Sequence, residues 1–522
     1  MKGIARVIIV LTTISAAIME LIDTSIVNVA LAQISGNLGA TIEDTAWVIT
    51  SYAIANVIII PLTGFFARLF GRKNYYVVSI IIFTVASYLC GTAGSLVSLV
   101  LWRFVQGIGG GALLSTSQAI LFDAFPPEKR AVAAGMFGMG IVLGPTIGPT
   151  LGGFIVDNYA WPLIFDINIP FGIVATLLAL RFVPNDTEEQ LAQRKNVYID
   201  YAGIIYLTAG IGSLQYVLER GEADDWFHDR AILMLSIVAV VTITLFIYRQ
   251  LRIAQPLINL RILKNQNLLA SNMLTFALGF GLFGSVFIFP VLVQRILGYT
   301  PTDAGFGLVP GAIVAIFLMP IIGRTLGAGT PPIFYVVIGC VSFILHGYTS
   351  SFANLDADLH FFTWPQIFRG VGTACLIVPL INQAMVGLEP KDLPSGIALT
   401  NMIRQLGGAF GIAVMNTYVA QRYIVHRTDL VSNLQVFDPA TAERLAAYQN
   451  NMVSKGFDLA SATEVGNRLL EQAVTRQGFL LAYLDGFLLI SVFFLAALPF
   501  VFLLKTKRMD KATAQKIAEE SH

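Results

Sequence analysis

Glu20, Asp23, Arg103, Asp166, Arg369 and Arg404 all stand inside long apolar runs of this chain. A charge at the centre of a membrane helix is unfavourable by roughly 2.5–3.5 kcal/mol on insertion scales, so each of these residues demands a partner, a water-filled cavity or a function. Glu20 and Asp23 are three apart, a spacing that puts two carboxylates on one helical face. Two like charges in low dielectric do not both ionise freely, which makes the pair a proton site, or else a structural ion pair with an arginine elsewhere in the bundle. Arg103 carries a fixed positive charge on a rigid fork of donors and needs a carboxylate or backbone carbonyls. Arg369 and Arg404 carry the same obligation. Asp166 is a further carboxylate in apolar surroundings, and Asp485, near the outer end of its run, is expected to be solvated. His346 is expected to be a hydrogen-bonded core residue.

The runs that must position these groups dominate the chain. Of 522 residues 56% are apolar and 12% charged, with 33 Lys+Arg against 32 Asp+Glu and a mean hydropathy of +0.72. A soluble domain carries about 25% charge and about 45–50% apolar residues. The composition excludes a nucleic-acid binder, a disordered chain and a water-soluble enzyme. Runs of this length, at 1.5 Å rise per residue, cross a hydrocarbon core of about 30 Å. Spans are predicted near 7–32, 45–66, 75–94, 97–122, 131–156, 161–183, 201–218, 231–250, 268–294, 303–323, 332–350, 363–387, 395–420 and 478–504; we number them 1 to 14. Lys2 and Arg6 before the first run outline a signal peptide, but the run continues to about Ala32 without a cleavage site, so it reads as an uncleaved span. Cys90, Cys340 and Cys375 are too scattered for a disulfide framework and read as core thiols.

An even span count puts both termini on one side, and basic residues mark which side that is. The N-terminus, the even-to-odd loops with their adjoining span ends, and the C-terminal tail hold 21 Lys/Arg; the short loops of the other face hold three, Arg220, Arg230 and Arg295. Both termini are therefore expected in the cytoplasm. The long segment 421–477, with helical composition over Ala440–Met452 and Ala460–Arg476, reads as a helical hairpin outside the cytoplasm or as a tolerated loop insertion. Span 4 has Arg103-x-x-Gln106-Gly107 where span 12 has Gln366-x-x-Arg369-Gly370. That weak repeat, together with the even count, predicts two six-helix bundles, 1–185 and 266–522, with spans 7 and 8 inserted over 186–265.

Span 5 carries Gly140, Gly144, Gly148 and Gly152 at intervals of four, with Gly153 beside them and Pro145 and Pro149 in register. The glycines form a smooth stripe for close helix approach, and each proline removes a helical hydrogen bond. A bent helix at a moving interface is the expectation. No Walker A sequence, His-Glu-x-x-His, Gly-x-Ser-x-Gly or dinucleotide fingerprint is found, which leaves no sign of ATP hydrolysis, resident metal or cofactor chemistry.

Four motifs resemble the major facilitator superfamily, specifically its fourteen-span drug:proton antiporter branch of the EmrB/QacA type. They are Asp23-Thr-Ser-Ile-Val-Asn28-Val-Ala30-Leu31, the loop Gly64-Phe-Phe-Ala-Arg68-Leu-Phe-Gly71-Arg72-Lys73, the Arg103–Gly109 segment and the span 5 Gly-Pro repeat. Trp161–Gly172, which includes Asn168, and the segment from Gly212 to Phe227 add to the likeness. The resemblance implies an all-α major facilitator fold and proton-coupled export of amphipathic or hydrophobic compounds by alternating access. It also implies protons as coupling ion, coupling through Asp23, Glu20, Arg103 and Asp166, and a substrate cavity involving Asn28, Gln106, Asn168 and Arg404. Partners implied are a periplasmic membrane-fusion adaptor of the EmrA kind and an outer-membrane channel of the TolC kind, with the inner membrane as location. An exporter of one metabolite (a fatty acid, siderophore or bile salt) is the alternative within the class, and a non-transporting receptor or assembly factor the alternative outside it. One departure stands out: many members have a gate Asp where this chain has Arg68. The gate is then expected to rest on other residues, such as Arg72 with Asp123 or Glu128.

Overall fold

A computed structural model describes residues 3–126, 129–185, 198–389, 392–434 and 438–504. Fourteen of its helices are long and apolar enough to cross a membrane: Arg6–Leu38, Glu43–Phe70, Arg72–Gly91, Leu96–Asp123, Arg130–Asn158, Leu163–Phe182, Tyr201–Arg220, Arg230–Arg252, Gln266–Leu297, Pro301–Gly327, Pro332–Ser350, Thr363–Met385, Leu393–Ser432 and Leu459–Leu503. These are spans 1 to 14 as numbered above. In hydrocarbon every backbone donor and acceptor must be met within the segment, and a helix does that with its own ladder. Side chains finish the ends: Ser95 and Thr300 form capping boxes, and Asp200, Asp229 and Asn265 accept from the first free amides of spans 7, 8 and 9.

Spans 1–6 pack among themselves through the pairs 1–5, 2–4, 3–4 and 3–6, and spans 9–14 through 9–13, 11–12, 10–12 and 13–14. The two groups meet along two seams, span 5 against span 10 and span 2 against span 13. Spans 7 and 8 pack on each other, and span 7 lies on span 2. Their connecting turn reaches the second group: the Trp226 indole donates to Thr417 Oγ1 at 3.1 Å, and Asn416 donates to Glu222 at 2.8 Å.

The described residues of the segment 421–477 are largely helical, and its helices are continuous with the membrane spans. Span 13 runs on to Ser432 and span 14 begins at Leu459, with the helix Pro439–Ser454 packed back on span 14. Cross-helix partners explain the extension. Tyr423 stacks on Phe479 with ring centroids 3.8 Å apart, and Arg427 pairs with Glu471 at 2.7 Å. Asp485 is not a freely solvated carboxylate; it accepts from Arg422 and, at 2.7 Å, from His426. Apolarity locates the bilayer part of a helix but not where the helix stops, because these pairs hold it beyond the apolar run.

Candidate functional site

Asp23 is fully buried at the centre of the first group. Arg103 of span 4 donates to its Oδ2 at 2.6 Å, while Gln106 and, from span 6, Asn168 donate to its Oδ1 at 2.8 Å each. Arg103 also donates to the Val48 carbonyl at 3.1 Å and to Gln106 Oε1 at 2.6 Å, and its guanidinium lies over the Tyr52 ring at 4.1 Å. Ser87 of span 3 closes the cluster by accepting from Gln106 at 2.8 Å. The carboxylate that the sequence offers as a proton site is thus held by an arginine and two amides, all buried. Gln106 and Asn168, which the resemblance associates with a substrate cavity, are members of this cluster, 0% and 3% exposed.

Glu20 faces elsewhere. Three residues along a helix is a rotation of about 60° from the starting direction, and that turns Glu20 away from Arg103 and toward the seam between spans 2 and 13. Asn56 of span 2 donates to Glu20 Oε1 at 2.9 Å, whereas Oε2 is buried without a hydrogen-bond partner. Across the seam, the charge of Arg404 interacts with that of Glu20. Arg404 Nη2 donates to Asn401 at 3.1 Å, and its Nη1 is likewise buried without a partner. Asn401 in turn donates to Gln118 at 2.9 Å and to Ser115 at 3.2 Å on span 4, a direct tie between the two groups of helices. One face of span 1 opens from this level: Glu20 is buried, Thr24 half-buried and Asn28 exposed. Asn56, Ser115, Gln118 and Asn401 were missed from sequence, although an amide in the middle of an apolar run is itself a signal.

The second half repeats the Arg–Gln pair in reverse order. Arg369 donates to Gln366 at 2.6 Å, as Arg103 does to Gln106, but it has no ion-pair partner among the described residues. His346 is a buried core residue with Nδ1 2.9 Å from the Pro365 carbonyl. Asp166 lies half-buried against Gly91 and takes no part in the Asp23 cluster. Cys90, Cys340 and Cys375 are buried free thiols.

The stripe of span 5 faces span 1 of its own group rather than the other group. A Cβ at Gly144 would meet Leu21, one at Gly148 would meet Ser25 and stand 3.1 Å from the Ile22 carbonyl, and one at Gly152 would stand 2.7 Å from Ile26. Gly140 faces Ile18 at 3.3 Å. The helix runs unbroken through Pro145 and Pro149. Contact with span 10 comes from other small residues: Gly135 and Gly138 against Met319, and Gly153 near Thr302 at 3.5 Å.

At the end of span 2, Gly71 adopts φ 87°, a backbone that favours glycine and lets the chain reverse directly into span 3. A Cβ on Gly64 would stand 3.5 Å from the Pro394 backbone, so the two groups touch here. Arg68 donates to the carbonyls of Pro256 and Leu257 at 3.3 and 3.4 Å, and its charge faces Asp392 at the start of span 13. Asn259 donates to Asp392 at 3.0 Å. Arg72 does form an ion pair with Asp123, but both belong to the first group, so the pair does not cross the seam. Glu128 lies outside the described residues.

A model of the Major Facilitator Superfamily matches residues 13–412. The chain belongs to that superfamily. It is a secondary transporter rather than an enzyme. It is 34% identical to the multidrug export protein EmrB of Escherichia coli K12, over 97% of this chain and 96% of that one. It is 33% identical to the fatty acid resistance protein FarB of Neisseria gonorrhoeae, over 97% of each. The crystal structure of the human organic anion transporter MFSD10 shares the fold, with a TM-score of 0.59 at 13% identity, over 96% of this chain and 99% of that one. Fourteen apolar helices and these bacterial relatives make the transporter a multi-pass protein of the bacterial inner membrane.

Proposed function

We propose that this transporter is a multidrug efflux antiporter, exporting amphipathic or hydrophobic compounds in exchange for protons by alternating access. The observation that carries the reading is that two buried opposite charges, Glu20 and Arg404, stand on the two sides of the seam where the groups of helices must part. Charges kept there are unfavourable unless they serve the transport cycle. The EmrB relative supports the substrate class. The proton gradient is a sufficient source of work: one proton falling through ~100 mV supplies ~2.3 kcal/mol, and each pH unit adds ~1.4 kcal/mol. Substrate passes between the two groups of helices and leaves on the outer side, where the exposed Asn28 face of span 1 supports an opening. Both termini lie in the cytoplasm, as the 21-to-3 distribution of basic residues supports. The stalk of spans 13 and 14 with its bracing helix then projects into the periplasm, where it docks a membrane-fusion adaptor that leads to an outer-membrane channel.

The test is transport by purified protein in liposomes with an imposed pH gradient, using ethidium as one probe and oleate as the other. Ethidium accumulating uphill, together with resistance to several unrelated compounds in a pump-deficient strain, is the expected result. Uphill movement of oleate alone would replace the multidrug reading with that of a fatty-acid exporter, which the FarB relative favours. No gradient-dependent movement of either probe would remove antiport altogether.

A further inference from the structure

The cluster around Asp23 and the pair at Glu20 differ in a way that assigns them separate tasks. Asp23 has an arginine and two amide donors on its two oxygens, all from helices of its own group. Nothing in that set needs to break when one group of helices moves against the other. Glu20 accepts from Asn56 on Oε1 and has an unpartnered Oε2, while its counter-charge, Arg404, belongs to the opposite group. Arg404 mirrors it with an empty Nη1. Two unpartnered polar atoms of opposite charge, each on a side chain only 4% exposed, belong to residues whose charges interact across the boundary that alternating access must open.

The groups that bear on Glu20 can be named from each side. Arg404 faces it from span 13, Tyr52 and Asn56 from span 2, and Asp23 from its own helix. Arg103 is committed to Asp23 and lies over Tyr52. Arg404 is therefore the cation whose hold on Glu20 changes when the bundles part. Deeper along the seam, toward the Gly71 end, the groups are in direct backbone contact: Gly64 with Pro394, Gly135 with Met319 and Gly323 with Ala131. On the other side, the Thr24 and Asn28 face of span 1 becomes progressively exposed.

We infer that Glu20 and Arg404 form a proton-released latch: the ionised carboxylate holds span 13 against the first bundle, and a proton taken on Oε2 frees Arg404 and lets the bundles part at the Gly71 end. This rests on the antiport reading above and names the residues that perform the coupling. The proton reaches Oε2 from the Asn28 side while the Gly71 end is shut. Neutral Glu20 no longer attracts the guanidinium, which is left a buried cation without a counter-charge, an arrangement that favours separation. Separation exposes Glu20 to the Gly71 side, where the proton leaves, and the restored carboxylate draws Arg404 back. One proton crosses per cycle. Asp23 remains ion-paired throughout as a fixed part of the first bundle.

Two measurements on the full-length reconstituted protein test this. The first needs no substrate. Spin labels at Phe70 and Phe334, in a background with the three native cysteines replaced, report the separation of the bundles at the Gly71 end as pH is varied. The wild type should shift toward the longer distance as pH falls, Glu20→Gln should show the longer distance at every pH, and Glu20→Asp should keep a pH-dependent shift. A Glu20→Gln protein that follows the wild-type pH dependence overturns the latch. The second measurement is ethidium accumulation against an imposed gradient of one pH unit, which can drive at most about tenfold accumulation per proton. Glu20→Gln should equilibrate ethidium without concentrating it, and full uphill transport by that variant overturns the proposal. If the wild type itself fails to concentrate either ethidium or oleate, the efflux reading fails, while the distance measurement still decides whether Glu20 titrates the seam.

Discussion

Replacing Asp23 by Asn should destabilise the fold before it tells anything about coupling, and the structure gives the size. The substitution keeps the shape of the side chain but leaves Arg103 buried at 1% exposure without a carboxylate. It also creates a conflict of donors. In the native cluster Oδ2 accepts from Arg103, and Oδ1 accepts from Gln106 and Asn168. Whichever way an Asn amide is turned, its NH₂ faces a group that also donates. Removing one partner of a buried ion pair is unfavourable by about 3–5 kcal/mol, a range that overlaps the roughly 2.5–3.5 kcal/mol for a lone charge in mid-membrane. At 1.4 kcal/mol per decade this is a loss of roughly two to three and a half decades in the folding equilibrium. Unfolding by SDS titration in mixed micelles measures it. Asp23→Leu combined with Arg103→Met should be less destabilised than either single variant, because no charge is then stranded. A loss below about 1 kcal/mol for Asp23→Asn, or a double variant equal to the sum of the singles, would refute the structural assignment of this pair.

Three further outcomes follow from contacts described above. Gly148→Leu places a branched side chain against Ser25 and the Ile22 carbonyl; it should insert and express but lose efflux, and wild-type efflux from a well-expressed variant would contradict the close span 1–span 5 packing. Arg68→Asp sets two acids facing each other at the start of span 13, so efflux should fall, and Arg68→Asp with Asp392→Arg should recover it; equal loss in the single and double variants would show that charge complementarity across the seam is not what matters. Replacing the helix Pro439–Ser454 by a Gly/Ser linker should abolish resistance in cells and spare flux in liposomes, whereas loss of both would make the helix part of the transport machinery.

The parts of the fold that were legible from sequence were those written in composition. Fourteen apolar runs gave fourteen spans, because a membrane helix is recognised by length and hydropathy alone. The helices of the 421–477 segment are legible in its composition, but their continuity with spans 13 and 14 is not, because it rests on pairs such as Tyr423 with Phe479 and Arg422 with Asp485, which lie 56 and 63 residues apart in sequence. The glycine stripe announced close packing, but its period cannot say which helix comes close; span 1, not the opposite bundle, fills it. The replacement of an expected acid by Arg68 was visible, yet its partners, the Pro256 and Leu257 carbonyls and the Asp392 charge, come from segments about 190 and 320 residues away along the chain.

The same limit governs the candidate site, and Glu20 shows why. Spacing placed it beside Asp23, and on that ground the two acids read as one unit. A helix turns about 100° per residue, so residues three apart differ by about 60° in direction, close enough to be neighbours and far enough apart to meet different helices. Here that difference is decisive: Asp23 points into spans 4 and 6 and is neutralised by Arg103, while Glu20 points to span 2 and the seam, where its counter-charge arrives on a helix nearly 400 residues later. Gln106 and Asn168 follow the same logic. Polar side chains in apolar runs announce that something buried needs them, and only the packing shows that both amides donate to the Asp23 carboxylate. A group that shares its partners within one rigid bundle can be strong without being switchable. The pair whose partners lie on opposite bundles is the one that bundle motion must make and break, which is why coupling is sought at Glu20 and Arg404 rather than at the better-satisfied Asp23.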